Sequence, residues 1–66
     1  METILIKISV AMASYNGERF IKKQLDSILS QSLRPSEIIV CDDGSTDDTV
    51  KIIRGYPAES NIRLFI

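Results

Sequence analysis

The chain has 66 residues, 44% of them hydrophobic and 26% charged, with a net charge of −1, one cysteine and no histidine. That length holds one small domain, the composition is that of a soluble globular protein, and there is no basic footprint for nucleic acid. A single cysteine excludes an internal disulfide, the lack of histidine excludes the usual His/Cys zinc sites, and no run approaches the ~20 apolar residues of a membrane span.

Ile4 to Ala13 is predicted to be a strand. Ile4, Ile6, Ile8, Val10 and Met12 fall on one face, and Leu5, Lys7, Ser9, Ala11 and Ala13 on the other. No basic segment precedes this run, so it does not read as a signal peptide. Ser14 to Gly17 is predicted to turn, with Asn16 as a candidate helix N-cap. From Glu18 to about Gln31 the spacing is helical. Phe20, Ile21, Leu25, Ile28 and Leu29 form one stripe, while Arg19, Lys22, Lys23 and Asp26 can stay in water. Pro35 is expected to end the helix, because it pushes Arg34 out of the helical region.

Glu37 to Asp42 is the second predicted strand. Its nearly continuous apolar character suits a central parallel strand covered on both faces, with Cys41 as a buried free thiol. A reducing compartment fits a free thiol. Asp43-Gly44 turns the chain. Ser45 is a candidate N-cap, with Asp48 three residues on completing a capping-box pattern. Asp47 and Asp48 suit the positive end of a helix dipole. A second helix is expected from Thr46 to about Arg54, burying Thr49, Val50 and Ile53, and closed by Gly55-Tyr56-Pro57. Ile62 to Ile66 begins a third strand.

Strands alternating with helices imply an α/β fold, a β-α-β-α-β unit with a Rossmann-like parallel sheet and right-handed crossovers. With the strands ordered 3-2-1, both helices lie on one face and the other face lacks cover from this chain. The uncovered face and the open edge of the first strand predict the opening piece of a larger domain, or self-association through the bare sheet. A complete small protein that dimerises through that face is the alternative.

Ligands of open α/β sheets bind beyond the carboxyl ends of the strands. Two such ends stand out here, Ala13-Ser14-Tyr15-Asn16-Gly17 and Cys41-Asp42-Asp43-Gly44-Ser45. Asp42 and Asp43 read either as a solvated turn with helix-capping carboxylates or as a pyrimidine contact. Uracil and thymine carry an N3–H donor between two carbonyls, which an ionised carboxylate can accept, whereas cytosine has an acceptor at N3. Successive strand residues point to opposite faces, so one aspartate of the pair should reach a ligand, and the spacing leaves open which. Tyr15 reads as a turn residue packed on the sheet edge or as a ring beside base or ribose. Free N–H groups at the start of the first helix are a candidate phosphate contact.

Other chemistries lack their motifs. There is no Gly-x-Gly-x-x-Gly and no Walker A stretch. The acidic run lacks the sixth-position glycine of an EF-hand loop. No Ser/His or Cys/His pairing exists for nucleophilic catalysis. Asp42 and Asp43 are adjacent rather than spaced by one residue, which excludes the Asp-x-Asp strand end of certain phosphatases. Lys22, Lys23 and Lys51 read as wet helix faces.

Ile8 to Gly17, then Gln24 to Ser32, then Glu37 to Thr49 resemble the start of family 2 glycosyltransferases. The resemblance covers nearly the whole chain with three motifs in register. Met12-Ala13-Ser14-Tyr15-Asn16-Gly17-Glu18 is similar to the bacterial subgroup that builds O-antigen or capsule, rhamnosyltransferases included. What the resemblance implies is the opening, nucleotide-binding portion of a GT-A domain across residues 1–66. It implies an inverting enzyme that takes a sugar from a UDP- or dTDP-sugar and passes it to a saccharide or lipid-linked acceptor in bacterial polysaccharide biosynthesis. Tyr15 matches the tyrosine lying along the base, and Asp43 the aspartate that binds it. Ala13 matches a strand-end residue touching the nucleotide, through its backbone here because many members have threonine. Asp42 takes a structural or secondary role.

The family's Asp-x-Asp metal motif and general base lie further along the domain and match nothing in this chain. Catalytic and metal residues are therefore not expected here, and the piece alone should be inactive. The Mg²⁺ or Mn²⁺ that the resemblance implies, stabilising the departing diphosphate, would belong to the parent enzyme. The parent is expected in the cytoplasm, with peripheral attachment to the inner membrane face as a further option. Two other readings compete. One is a non-enzymatic nucleotide-binding or interaction module built on the same unit. The other is a sugar nucleotidyltransferase, which would usually have a glycine-rich basic loop where Ser14-Tyr15-Asn16-Gly17 stands.

Overall fold

The computed structural model describes residues 8–66. In chain order these form β1 (Ser9–Ser14), α1 (Ile21–Leu29), β2 (Glu37–Asp42), α2 (Thr49–Arg54), a 3-10 turn (Ala58–Ser60) and β3 (Ile62–Phe65). The three strands make one parallel sheet in the order β1-β2-β3, as the alternation of strands and helices predicts. Ser14 pairs with Asp42, so β1 and β2 end together on one rim. The expected strand positions Ile4 to Lys7 lie outside the described residues.

The core sits on one face. Ile21 and Leu25 of α1 and Ile53 of α2 pack on Ile38 and Val40 of β2, all five nearly inaccessible to water. Val10, Met12, Ile62 and Leu64 flank them from the outer strands. The period-2 alternation of the strands sends every second side chain here. The opposite face has no layer on it among the described residues. Ser9, Ala11, Ala13, Cys41, Arg63 and Phe65 are exposed there, while Glu37 and Ile39 are half-buried. Among the described residues β2 is thus covered on one face and bare on the other, as the 3-2-1 strand order predicts, and Cys41, expected to be buried, is exposed. β2 is central by pairing, but one helical layer covers one face only.

Both helices are shorter than their apolar spacing predicts. Residues 17 to 20 form a turn instead of helix, with the Phe20 and Ile21 N–H groups both donating to the Gly17 carbonyl. Phe20 consequently leaves the apolar stripe and stands 62% exposed, under the Arg19 guanidinium at 5.9 Å. α1 stops at Leu29, well before Pro35. There the Ser30 hydroxyl donates to the Ser27 carbonyl, a local bond that competes with helix continuation. α2 begins at Thr49 because Ser45 to Asp48 are engaged with the neighbouring turn. Ser45 is not its N-cap, and Asp48, which is, makes no side-chain capping bond. Thr49 and Ile53 are buried as expected, but Val50 only partly. β3 ends at Phe65 rather than Ile66. The helices are tied by Tyr56, whose hydroxyl donates to Asp26 Oδ1 at 2.6 Å, and by packing.

Candidate functional site

The rim is built from two turns that hold each other. Asp42, 6% exposed, is its centre. Its Oδ1 accepts the Ser14 hydroxyl at 2.7 Å and the Ser45 hydroxyl at 2.6 Å, and its Oδ2 accepts the Ser45 N–H at 2.8 Å. Gly44 makes the return possible, because its φ of 80° lies where side chains are disfavoured. The Asp43 N–H donates to the Ser14 carbonyl at 2.9 Å, continuing the β1–β2 ladder one step past the strands. The Ser45 and Ser14 hydroxyls and the Ser45 N–H hold the Asp42 carboxyl below its ordinary pKa, because each bond favours the ionised form against the opposing effect of burial.

A second set of bonds crosses between the turns. The Asn16 N–H donates to Ser45 Oγ at 2.8 Å, and Asn16 Oδ1 accepts the Thr46 N–H at 2.8 Å. The Gly17 N–H donates to Thr49 Oγ1 at 2.8 Å. The Glu18 N–H donates to Asp47 Oδ2 at 3.2 Å, and Glu18 Oε2 accepts the Asp48 N–H at 3.3 Å. Asp47 Oδ1 also accepts the Thr49 N–H and hydroxyl. Burial pushes the Asp47 pKa up, but the Thr49 and Glu18 donors outweigh it and the net shift is downward.

This arrangement corrects two expectations. Asn16 does not cap α1, whose N-cap is Phe20 with no side-chain bond, but clasps the opposite turn instead. The N–H groups of Asn16, Gly17 and Glu18 are not free for phosphate, since Ser45, Thr49 and Asp47 already take them.

The four residues singled out from the sequence fall into two kinds. Asp42 is buried, with both oxygens engaged within the protein. Ala13, Tyr15 and Asp43 are exposed, Tyr15 by 63%. The Asp43 carboxylate and the Tyr15 hydroxyl have no hydrogen-bond partner among the described residues. Strand pairing brings Tyr15 and Asp43 to the same rim, one step beyond the Ser14–Asp42 pair. The rim is open: two concave regions of about 540 Å³ lie elsewhere, one between Met12 and α1, the other around Ser36 and Asn61. No group of three or more acidic or cysteine side chains among the described residues could hold a metal ion. Sequence reasoning missed the contributions of Ser14, Thr46, Asp47 and Thr49. The density of short polar side chains in residues 14–18 and 45–49 is the signal that could have indicated two interlocking turns.

Known proteins resemble this chain in sequence. The family model for glycosyl transferase family 2 matches residues 9–66. A putative glycosyltransferase of Bacillus subtilis (strain 168), EpsE, is 47% identical over 58 residues, which are 88% of this chain and 21% of that protein. The WfaP protein of Escherichia coli, a UDP-Glc:alpha-D-GlcNAc-diphosphoundecaprenol beta-1,3-glucosyltransferase, is 48% identical over 46 residues, 70% of this chain and 18% of that protein. A chondroitin synthase of Escherichia coli is 37% identical over 51 residues, 77% of this chain and 7% of that protein. The chain thus spans about a fifth or less of these relatives. No solved structure matches it significantly.

Proposed function

The chain belongs to glycosyl transferase family 2, and from that premise we propose that its rim receives the pyrimidine base of a UDP- or dTDP-sugar. The observation that carries this reading is the asymmetry of the acidic pair. Asp42 spends its oxygens on Ser14 and Ser45, while Asp43 presents an unengaged carboxylate beside an exposed Tyr15. An ionised carboxylate accepts the N3–H of uracil or thymine and repels the N3 lone pair of cytosine. Tyr15 supplies aromatic area, and the strand end at Ala13 a backbone contact.

The reading places residues 1–66 as the opening part of a GT-A domain, in an enzyme that transfers the sugar with inversion to a saccharide or lipid-linked acceptor of bacterial polysaccharide synthesis. The described residues do not fit the divalent cation that the family resemblance implies. Asp42 and Asp47 each accept three internal hydrogen bonds, and Asp43 stands without partner carboxylates in a ligand cluster. Mg²⁺ or Mn²⁺ and the general base are accordingly assigned to residues other than these, and this chain alone is proposed to be inactive. With the Asn16, Gly17 and Glu18 amides occupied, it recognises the nucleoside end of the donor, and its affinity for free nucleotide is low. A cytoplasmic location is proposed for the whole protein, peripheral to the membrane. No helix among the described residues is long and apolar enough to cross one. The bare sheet face, with Cys41 and Phe65 exposed on it, is proposed to pair with a second copy at high concentration. Sedimentation as a compact monomer at such concentrations would refute that pairing.

The test of the base site is an NMR titration of the chain with UDP, dTDP and CDP. Shifts confined to Tyr15 and residues 42–45, given by UDP and dTDP and not by CDP, are expected. Asp43→Asn presents both an acceptor and a donor, so it should relax the discrimination against CDP. Equal responses to all three nucleotides in the unsubstituted chain would overturn the reading.

A further inference from the structure

Tyr15 and Asp43 have one arrangement in common: each is a free side chain between fastened neighbours. Tyr15 lies between Ser14, bonded to Asp42 and to the Asp43 N–H, and Asn16, bonded to Ser45 and Thr46. Asp43 lies between Asp42 and the Gly44 turn, which brings the Ser45 N–H back to Asp42. Asn16 is the unusual member. Its φ of 47° is left-handed, uncommon outside glycine and tolerated best by Asn and Asp. Its side chain does not serve its own helix, since Phe20 is the N-cap of α1. Instead Oδ1 reaches the Thr46 N–H at 2.8 Å and the Thr46 hydroxyl at 3.4 Å, in the turn that follows Asp43.

We infer that Asn16 is a positioning residue for nucleotide recognition, clasping the Ser45–Thr46 turn so that Tyr15 and Asp43 are set at a fixed separation before the ligand arrives. The inference rests on the base-site reading above. Its physical content is preorganisation: a site whose contacting side chains are already ordered loses less entropy on binding. Supporting side chains that touch no ligand commonly decide how well such a site is held. Asn16 contributes no selectivity of its own, because it faces the opposite turn and leaves base discrimination to Asp43.

The test uses two substitutions and two readouts. Asn16→Gly keeps the left-handed backbone accessible and deletes the clasp, whereas Asn16→Asp keeps an acceptor oxygen for the Thr46 N–H. UDP and CDP affinities are measured by NMR titration of the folded chain, and backbone ¹⁵N order parameters without nucleotide. Asn16→Gly is expected to weaken UDP binding about 3- to 10-fold, the effect of one net hydrogen bond, and to leave the preference for UDP over CDP unchanged. It should also lower the order parameters of Tyr15 and Asp43 from the rigid-backbone value of about 0.85, with Ile38 to Val40 unaffected. Asn16→Asp should restore both.

Parental affinity and parental order parameters in Asn16→Gly, or no recovery in Asn16→Asp, would overturn the inference. The relaxation readout needs no ligand and therefore decides even where binding is weak. Should Asn16→Gly lose its dispersed amide spectrum, Asn16→Ser, whose hydroxyl lies one atom nearer its own backbone than Oδ1 and does not span to the Thr46 N–H, is read the same way. Asp43→Ala separates the two claims. If it leaves UDP binding unchanged, the base-site reading fails. If it removes binding while Asn16→Gly does not, only the positioning role fails.

Discussion

The two faces of the sheet follow the same strand periodicity and meet opposite fates. On the helix side, Ile38 and Val40 of β2 are fully buried beneath Leu25, Ile21 and Ile53. On the other side, one residue along each strand, Ala13, Cys41 and Phe65 align in register and all three are exposed. Stability is therefore concentrated on one face, and the open face contributes strand pairing with little burial. The rim belongs to neither regime. It is held by hydrogen bonds between polar side chains and backbone, which fix geometry without needing an apolar layer.

The sharpest way to break this comparison is to remove one large side chain from each face. Leu25→Ala deletes a fully buried side chain and leaves a cavity in the core, and is expected to cost about 2–5 kcal/mol. A chain of this size has only a few kcal/mol of stability in all, so the variant should be largely unfolded by circular dichroism at room temperature. Ile39→Ala, on the open face, should cost about 1 kcal/mol or less by urea denaturation, chiefly through lost strand preference. Equal costs would mean that the open face is covered in solution.

The rim should respond at an intermediate scale. Asp42→Ala strands the Ser14 hydroxyl and the Ser45 N–H and hydroxyl, and is expected to cost about 1–3 kcal/mol. The same carboxylate makes stability depend on pH. Its folded pKa is depressed, so its contribution is fully present above the unfolded value of about 3.9 and is lost as pH falls through the lower folded value. Asp26, held low by Lys22 and Tyr56, and Asp47 have the same sign. Urea midpoints between pH 2 and 5 should thus fall with acidity in the parent and less steeply in Asp42→Asn, without becoming flat. An unchanged slope in Asp42→Asn would show that the Asp42 bonds do not form.

The sequence made the topology legible because hydrophobic periodicity and the positions of turns are local properties. The parallel β-α-β-α-β order, the helices on one face and the two strand ends on one rim all follow from it. Helix limits were not legible, because tertiary bonds decided them. Ser45, Thr46 and Asp47 have the residue types of a helix start, yet their donors and acceptors are drawn to Asp42 in the same turn and to Asn16 and Glu18 of the neighbouring turn. Asn16 has the residue type of a cap and acts on the other turn. Cys41 has the neighbours of a core residue, but burial depends on what covers a face, and an apolar strand does not encode that.

Cys41 also supplies the smallest expected effect and the finest test of the two-face comparison. Cys41→Ser replaces an exposed thiol by a hydroxyl of similar size, so stability should stay within about 0.5 kcal/mol of the parent. The native thiol should react with a maleimide as readily as an exposed cysteine does, since no side chain hydrogen-bonds to it or covers it among the described residues. Both observations should be made at low and at high protein concentration. If the open face pairs with a second copy, the thiol sits in the middle of the contact. Labelling will then slow as concentration rises, and Cys41→Ser will become destabilising only in that range, because a buried hydroxyl without a partner is penalised and a solvated one is not. Concentration-independent labelling with no change in stability would leave the face bare and confine the protein's cohesion to the helix side.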